Sequence, residues 1–362
     1  MDLLLRVAAS GLLAGLVMTL QGCASNPQAV AYVSNADSRE IRVVKLDRAT
    51  GTVQAMQTVD VGGTVMPLAL SPDRRFLYAA IRSEPYNVST FAIDPQSGAL
   101  KRIGSAPLPD SMANIMTDRT GRWLFAASYG GNKISVSPIG ADGIAGNAVA
   151  VLPTGKNAHA AIIDGANRNL FVTNLGSDQV LQYKFDADSG KLTANNPPAL
   201  FTRTGAGPRH LVLHPDGTHA YLLHELDATL DLLGYDAASG TLRVIKTWPT
   251  LPPGSTAKPW AADLHLTPDG KFLYTSERTT STLAIWKVDA ATAEVTLVGH
   301  QPTEAQPRGF QIDSTGQWLL AVGQASHQLT AYRIDPASGQ LAAVTTLPMG
   351  KNPNWVEIVD LK

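Results

Sequence analysis

Cysteine, charged residues and aromatic residues are all scarce in this sequence, and each shortage excludes a class of protein or narrows the fold. The single cysteine, Cys23, excludes a disulfide bond within one chain. Charged residues make up only 16% and the formal net charge is -1, so the chain lacks the basic excess that a nucleic-acid backbone requires. Aromatic residues make up 6% and concentrate in repeated apolar segments, as in a sheet protein. With 44% hydrophobic residues, the chain of 362 residues can nevertheless build a large core.

Familiar catalytic motifs are also missing. The sequence has no Gly-x-Ser-x-Gly elbow. The pairs Gly104-Ser105 and Gly130-Gly131 lack the strand and helix that flank a phosphate-binding loop. His210 and His214 are four residues apart on a predicted strand, where that spacing does not give the metal geometry that it gives on a helix. We therefore expect neither a metal ion nor a cofactor.

The apolar segment Val7–Leu20 spans about 14 residues, fewer than the roughly 20 that cross a bilayer as a helix. It ends in Leu20-Gln21-Gly22-Cys23, which resembles the lipobox of bacterial lipoproteins. That resemblance implies cleavage before Cys23 and lipidation of this residue, and Ala24 in the next position favours the outer membrane.

Three segments follow from this interpretation of the N-terminus. We expect a lipoprotein signal peptide over residues 1–22, a tether over residues 23–30 and one folded domain over residues 31–362. The protein would then belong to the cell envelope and face the periplasm. Its contact with the membrane would be made only through the lipid on Cys23.

Strand–turn–strand units recur along the rest of the chain. A clear example is Gly207–Gly217, which runs from a proline-fixed start to a Pro-Asp-Gly turn. The interval between units is 46 to 53 residues, measured between the aromatic or equivalent residues of their second strands: Tyr32, Tyr78, Phe125, Phe171, Tyr221, Tyr274 and Leu320. This interval, together with Asp/Gly/Pro turns and β-branched residues, is typical of a four-stranded propeller blade and not of helical repeats.

The two ends of the array are unequal. The first unit, at Tyr32, lacks an inner strand, whereas a surplus inner strand, Asn352–Val359, ends the chain. A linear array would leave open sheet edges at both ends, which favour aggregation. We therefore predict an all-β fold, a seven-bladed β-propeller whose first blade is completed by the C-terminal strand.

Two sets of equivalent positions are predicted to meet at one mouth of the central channel. In an antiparallel hairpin, the start of the first strand and the end of the second lie at the same edge. The starts of the first strands are Met66, Ala113, His159, Arg209, Ala262 and Arg308, and the ends of the second strands are Arg82, Tyr129, Leu175, Glu225, Arg278 and Gln324.

This predicted mouth is rich in positive charge. Four arginines beside one carboxylate and one histidine would repel one another unless an anion is bound. Trp260 and Trp355 are candidates for its walls, and Asp263 and His265 lie on a neighbouring inner strand. The alternative is a polar, hydrated channel whose charges are satisfied by water and by each other, since a fold does not determine a function.

Several of these segments carry a resemblance to a known family: Gly207–His210, His224–Leu226, Trp260–Asp263, Arg278-Thr279, Gln301–Glu304, Gln306–Phe310, Gly323-Gln324 and Ser326-His327. Together they resemble the propeller lactonases, the 6-phosphogluconolactonase family of the cycloisomerase-related type. The resemblance runs from Ala31 to near the C-terminus. It implies metal-independent opening of a sugar-acid lactone by water, so the expected partner is a small lactone or a sugar-acid anion.

The resemblance also implies roles for individual residues. The catalytic set of the family matches His159, Arg209, Glu225 and Arg278. Either Glu225 or His159 would act as general base, with Asp263 as a further candidate. Arg209 and Arg278 would stabilise the oxyanion. The expected substrate-binding residues are Arg308 and Arg82, for a phosphate or carboxylate, together with Asp263, Trp260 and Gln324.

Two alternatives remain open. A muconate-type cycloisomerase would use the same arginines for carboxylates. A non-enzymatic propeller of the envelope would bind a ligand or a protein. If the chain is exported, we expect its substrate to be an unphosphorylated or exogenous lactone rather than a phosphorylated intermediate of the cytosol.

Overall fold

Seven four-stranded antiparallel sheets form a closed ring in the computed structural model, which describes residues 28–361. Blade 1 contains β1 (Ala29–Asn35), β2 (Glu40–Leu46), β3 (Val53–Asp60) and β28 (Pro353–Asp360); blade 2 contains β4 (Val65–Leu70), β5 (Phe76–Ile81), β6 (Asn87–Ile93) and β7 (Leu100–Pro107). Blade 3 contains β8 (Met112–Thr117), β9 (Trp123–Ser128), β10 (Lys133–Pro138) and β11 (Ala150–Pro153); blade 4 contains β12 (Ala158–Ile163), β13 (Asn169–Asn174), β14 (Gln179–Asp186) and β15 (Lys191–Phe201). Blade 5 contains β16 (Pro208–Leu213), β17 (His219–His224), β18 (Thr229–Asp236) and β19 (Thr241–Pro249); blade 6 contains β20 (Ala261–Leu266), β21 (Phe272–Glu277), β22 (Thr282–Val288) and β23 (Val295–Pro302); blade 7 contains β24 (Pro307–Ile312), β25 (Trp318–Gly323), β26 (Gln328–Ile334) and β27 (Leu341–Pro348).

The predicted all-β, seven-bladed architecture is confirmed. Between Gln28 and Leu361 the single helical element is the 3₁₀ turn Leu175–Ser177, and no helix in this range is long and apolar enough to cross a membrane. β1 begins at Ala29, two residues before the predicted start of the domain. The signal peptide and the lipidation of Cys23 lie outside the described residues, so both stay predictions.

Burial of the strands decreases from the centre of the ring to its rim. All six residues of the innermost strand β12 are buried, whereas in the outermost strand β3 only Val53 is buried. An inner strand is covered by the neighbouring blades on both faces, and an outer strand is largely in contact with solvent. This difference explains why the inner strands are nearly continuous apolar runs and the outer strands are mixed.

The four tyrosines among the residues that set the sequence period join blades 1, 2, 5 and 6 to the blade that follows each of them. Tyr32 of blade 1 donates a hydrogen bond to the carbonyl oxygen of Gly98 in blade 2 at 2.9 Å. The same contact recurs from Tyr78 to Gly143, from Tyr221 to Ala293 and from Tyr274 to Gly339, at 2.6 to 2.8 Å. Each ring is buried between blades and each hydroxyl has an acceptor, so no polar atom of these rings is left unpaired in the core.

The ring is closed by both ends of the chain. β1 pairs antiparallel with β28 on one side and with β2 on the other, so the C-terminal strand completes blade 1 as predicted. Arg48, which is 5% exposed, links blade 1 to blade 7 through Asp313 at 2.8 Å. Its guanidinium also contacts Ser314 and Asp360. Closure removes the open edges that a linear array would expose.

Candidate active site

A β-bulge lies near the start of the inner strands. The strand pairing skips from Ala158 to Ala160, from Pro208 to His210 and from Pro307 to Gly309. Equivalent shifts occur in blades 1, 2, 3 and 6. A bulge leaves a residue unpaired and redirects its side chain. The residues skipped in this way include Met66, Ala113, His159, Arg209, Ala262, Arg308 and Asn354, which contain all six of the predicted first-strand positions.

The second predicted set lies at the same edge of the blades. Each member directly follows the last residue of a second strand, namely β5, β9, β13, β17, β21 and β25. Antiparallel pairing places these positions beside the bulges. The residues are Arg82, Tyr129, Leu175, Glu225, Arg278 and Gln324. We call the opening surrounded by Arg82, Arg209, Arg278 and Arg308 the arginine mouth.

Glu225 joins two of these arginines. Its Oε2 atom accepts from Nε of Arg209 and from Nη2 of Arg278, both at 2.8 Å. Burial alone would raise the pKa of Glu225, but the two guanidinium groups outweigh it and hold the pKa below its ordinary value. Glu225 is therefore ionised at neutral pH. One carboxylate thus holds Arg209 and Arg278 side by side.

Arg278 is further fixed by the backbone at the start of β20. Its Nε atom donates to the carbonyl oxygen of Trp260 at 3.0 Å, and Nη2 donates to that of Ala261 at 3.1 Å. The guanidinium carbon lies 4.0 Å from the centroid of the Trp260 ring, a cation–π contact. Burial and the nearby charge of Arg209 lower the pKa of Arg278 to about 10. Trp260 remains 38% exposed, so it is available as a wall of the mouth.

Arg308 and Arg82 differ from this pair because neither has a carboxylate within 4.0 Å in the described part of the chain. Nε of Arg308 is buried without a hydrogen-bond partner. Arg82 donates to Oγ of Ser111 at 3.0 Å and to the sulfur of Met66 at 2.8 Å. Burial and the charges of Arg209, Arg278 and Arg82 lower the pKa of Arg308 well below its ordinary value. A guanidinium stays protonated in proteins, so Arg308 is a buried cation that a bound anion could pair with.

His159 is the one imidazole among the predicted catalytic residues. It is 4% exposed, its Nδ1 atom has no hydrogen-bond partner among residues 28–361, and its ring packs edge-on against Tyr129 at 6.1 Å. Burial lowers its pKa well below the ordinary value, and the charges of Arg209 and Arg308 lower it further. His159 is therefore neutral at physiological pH.

Asp263 contacts two histidines instead of facing the opening. Its Oδ1 atom lies 2.7 Å from Nδ1 of His210, and Oδ2 lies 3.3 Å from Nε2 of His265. The backbone N–H groups of Leu264 and Phe310 also donate to this carboxylate, at 3.0 and 3.4 Å. Burial would raise the pKa of Asp263, but the two histidines outweigh it and lower the pKa.

The two remaining predicted residues lie apart: Gln324 directly follows β25 at the mouth, whereas Trp355 lines the channel beyond His210. Gln324 donates to Oδ1 of Asn352 at 2.7 Å, so its amide links blade 7 to the segment before β28. The ring of Trp355 lies 6.0 Å from that of His210. From the sequence, His210 was considered only as a metal ligand, a role that its spacing from His214 argued against, and it was not placed in this region. The segment Gly207–His210, which carries part of the family resemblance, includes this residue, but strand alternation alone would place its side chain on the opposite face from that of Arg209.

The channel continues beyond His210 toward the opposite mouth. There it widens into a cavity of about 400 Å³, lined by polar side chains that include Arg74, Gln311 and Glu357 and by apolar residues of the inner strands. Burial raises the pKa of Glu357, and its Oε1 atom accepts from the indole N–H of Trp355 at 3.0 Å. Within residues 28–361 no group of three or more His, Cys, Asp or Glu side chains is arranged to hold a metal ion.

Residues 28–358 match the family described as "Lactonase, 7-bladed beta-propeller". The chain belongs to this lactonase family. It is 42% identical over 334 residues to the 6-phosphogluconolactonase of Pectobacterium carotovorum subsp. carotovorum, an alignment that covers 92% of this chain and 99% of the relative. It is 40% identical to the 6-phosphogluconolactonase of Pectobacterium atrosepticum, with the same coverage of both chains.

A solved structure is similar to this propeller lactonase along almost its whole length. The periplasmic gluconolactonase of Pseudomonas aeruginosa superimposes with a TM-score of 0.85 at 27% sequence identity, covering 92% of this chain and 100% of the other. The resemblance predicted from the sequence segments is therefore confirmed at the level of family and fold.

Proposed function

We propose that this protein is a lactonase that opens a sugar-acid lactone carrying an anionic group. The observation that carries this proposal is the arginine mouth, where one carboxylate, Glu225, forms salt bridges with two arginines, and two further arginines have no carboxylate within 4.0 Å in residues 28–361. The names of the curated relatives, 6-phosphogluconolactonases at about 40% identity, support the same reaction.

The reaction is the hydrolysis of an ester within a ring. Water adds to the carbonyl carbon, the bond from that carbon to the ring oxygen breaks, and the product is an open hydroxy acid. Negative charge develops first on the carbonyl oxygen. Arg209 and Arg278 are suited to stabilise that charge because Glu225 fixes both guanidinium groups before substrate binds, and preorganised donors lose little on reaction.

His159 is our choice for the general base. A base needs a free lone pair in its neutral form, and His159 is neutral. Its Nδ1 atom is buried, so the lone pair of Nε2 would be the one that meets the attacking water, and His159 would act through that atom. It would take a proton from the attacking water and return it to the leaving alkoxide. Glu225 is less suited because its Oε2 atom is shared by two arginines, and Asp263 is less suited because two histidines and two backbone N–H groups already occupy it.

Arg308 and Arg82 would bind the anionic substituent of the substrate. Charge-assisted contacts to a phosphate or a carboxylate would satisfy the buried Nε of Arg308 and relieve the repulsion between neighbouring guanidinium groups. Trp260 would cover one face of the bound ring.

We further propose that the protein is exported and anchored by a lipid on Cys23. The support is the segment Leu20-Gln21-Gly22-Cys23 and the similarity of the propeller to a periplasmic gluconolactonase. Mass spectrometry of the protein from a bacterial envelope tests this proposal directly. A diacylglyceryl adduct on an N-terminal Cys23 supports it, and an unmodified chain that begins at Met1 contradicts it.

The lactonase assignment is tested by hydrolysis. The purified protein is assayed on δ-gluconolactone, on its 6-phosphate and on muconolactone, with spontaneous opening subtracted. We expect Arg209→Ala and Glu225→Gln to lower the rate on the preferred lactone about 10²- to 10³-fold. Ala113→Ser, at the equivalent bulge of blade 3, is the matched control and should retain full activity. Full turnover by both site variants would refute the roles given to Arg209 and Glu225, whereas no hydrolysis of any of these lactones by the wild type would refute the lactonase assignment.

A further inference from the structure

We propose that His210 is a positioning residue, held by Asp263 in one tautomer so that it presents a lone pair to Arg209. The observation is a line of three side chains from the arginine mouth into the channel. Nη1 of Arg209 lies 3.3 Å from Nε2 of His210, and Nδ1 of His210 lies 2.7 Å from Oδ1 of Asp263. The catalytic consequence rests on the proposed lactonase function, whereas the tautomer itself does not.

The direction of both hydrogen bonds follows from the chemistry of the two groups that His210 contacts, a guanidinium and a carboxylate. A guanidinium can only donate, so Nε2 of His210 must accept from Arg209. An ionised carboxylate can only accept, so Nδ1 of His210 must carry the proton that goes to Asp263. The two contacts together permit the neutral Nδ1–H tautomer of His210 and exclude both the Nε2–H tautomer and the imidazolium.

The position of the Asp263 carboxylate is fixed, so it accepts a hydrogen bond from Nδ1 of His210 and selects the Nδ1–H tautomer. Asp263 is 9% exposed, and its oxygens also accept from the backbone N–H groups of Leu264 and Phe310, at 3.0 and 3.4 Å. Its own N–H donates to Oγ of Ser276 at 3.0 Å. The backbones of two blades therefore fix the Asp263 carboxylate. In catalytic and metal-binding sites, a carboxylate fixed in this way commonly accepts a hydrogen bond from a histidine and so sets its tautomer.

The charges around His210 agree with a neutral ring. Arg209 and Arg308 face it from blades 5 and 7, His159 lies 5.1 Å away from blade 4, and Asp263 contacts it from blade 6. Burial and the charge of Arg209 outweigh the carboxylate and lower the pKa of His210 to about 4.

The role of His210 is to complete the set of acceptors around Arg209. Nε of Arg209 is held by Glu225 at 2.8 Å, and Nη1 contacts both Nε2 of His210 and the carbonyl oxygen of Ala262. Arg209 is 1% exposed, so water does not replace a lost acceptor easily. Without the His210 lone pair the guanidinium would shift toward its other acceptors and away from the place where the oxyanion forms.

Two substitutions separate this role from simple packing. The amide of asparagine ends near the position of Nδ1, so His210→Asn keeps a donor for Asp263 but removes the acceptor for Arg209. The amide of glutamine ends near Nε2, so His210→Gln can turn an oxygen toward Arg209. We expect His210→Gln to keep kcat within a few-fold, and His210→Asn to lower kcat about 10- to 100-fold with KM little changed.

The thermal midpoints of both variants should fall by similar amounts, because both lose the imidazole. His214→Asn, farther along the same chain segment and in contact with Asp216, is the control and should keep full activity. Equal losses of kcat in His210→Gln and His210→Asn would overturn the proposal, since a packing role predicts that result.

A spectroscopic measurement is independent of turnover. In uniformly ¹⁵N-labelled protein, long-range ¹H–¹⁵N correlation distinguishes a protonated from an unprotonated ring nitrogen, and the His210 signals are identified by their loss in His210→Gln. We expect a proton on Nδ1 only, from about pH 6 to pH 8. A proton on Nε2 would overturn the proposal even in an active enzyme. Absence of lactone hydrolysis by the wild type would refute the lactonase function. The tautomer of His210 would still be decided by the position of the proton in this ¹⁵N experiment.

Discussion

Blades 4 and 5 can be compared with blade 3, because the same backbone feature occurs in all three. Each inner strand has a bulge at its second residue, and that residue is His159 in blade 4, Arg209 in blade 5 and Ala113 in blade 3. The bulge brings an alanine to the channel as readily as an arginine. The fold therefore supplies a ring of equivalent positions, and the residue at each position decides which part of the ring is reactive.

The sharpest test of this comparison is His159→Gln, which removes the proposed general base. We expect kcat to fall about 10²- to 10⁴-fold, since that is the usual contribution of a positioned base. Steady-state kinetics on the preferred lactone provide the measurement. His300→Gln, in β23 and bonded to the carbonyl of Thr250, is the matched control and should stay active. If kcat falls less than 10-fold in His159→Gln, His159 is not the base, and Glu225 becomes the leading candidate.

The next largest effect is expected from the removal of Arg308 or Arg82, the two arginines of the mouth that have no carboxylate within 4.0 Å in residues 28–361. Arg308→Met should raise KM for an anionic lactone about 10-fold or more, because a hydrogen bond between charged groups contributes roughly 1.5–3 kcal/mol. Arg82→Met should act in the same direction. The effect should be absent for an uncharged lactone, which separates recognition of the anion from catalysis. Arg74→Met at the opposite mouth is the control. Equal effects on charged and uncharged substrates would contradict the proposed role.

A smaller effect is expected on the dependence of stability on pH. The pKa of His159 is lowered in the folded protein, so below about 6.5 the unfolded chain binds more protons than the folded one. The contribution of a neutral His159 to stability is thus complete above about pH 6.5 and is lost as the pH falls. His159→Gln should reduce the slope of unfolding free energy against pH by up to about 1.4 kcal/mol per unit below pH 6.5. Urea denaturation at several pH values measures this, and an unchanged slope would show that His159 is not buried as a neutral group.

The smallest predicted effect is a shift of the pH–rate profile. Since His159 must be neutral to act as base, the acid limb of kcat should lie below the ordinary imidazole pKa of about 6.5. Removal of one neighbouring positive charge, in Arg308→Met, should move that limb to higher pH by less than about one unit. A limb that moves to lower pH, or not at all, would mean that another group controls the rate.

Much of the fold and of the mouth was predictable because both repeat. The aromatic period found Tyr32, Tyr78, Tyr221 and Tyr274, which the structure shows bonded from one blade to the next. The distance from each turn also predicted the two sets of positions at the mouth, one at the start of the first strands and one at the end of the second strands. This prediction succeeds because hairpins of equal length place equivalent residues at equal heights.

The contacts made by His210 were not predictable in the same way. In a regular strand, neighbouring residues point to opposite faces, so Arg209 and His210 would not be expected to share one site. The bulge between Pro208 and His210 changes this local geometry, and the partner of His210, Asp263, lies 53 residues later on another blade. The pairing of Arg82 with Ser111 likewise depends on the packing of one blade against the next.

The antiparallel pairing of β1 with β28 also sets the side of the ring at which the N-terminal segment enters the fold. Ala29 pairs with Asp360, at the end of β28 farthest from Asn354 and the arginines. Gln28 therefore joins the ring on its far side, and a lipid on Cys23 would hold that side toward the bilayer. The basic opening would then be turned to the aqueous phase, where dissolved anions reach it without approaching the negatively charged headgroups that repel them.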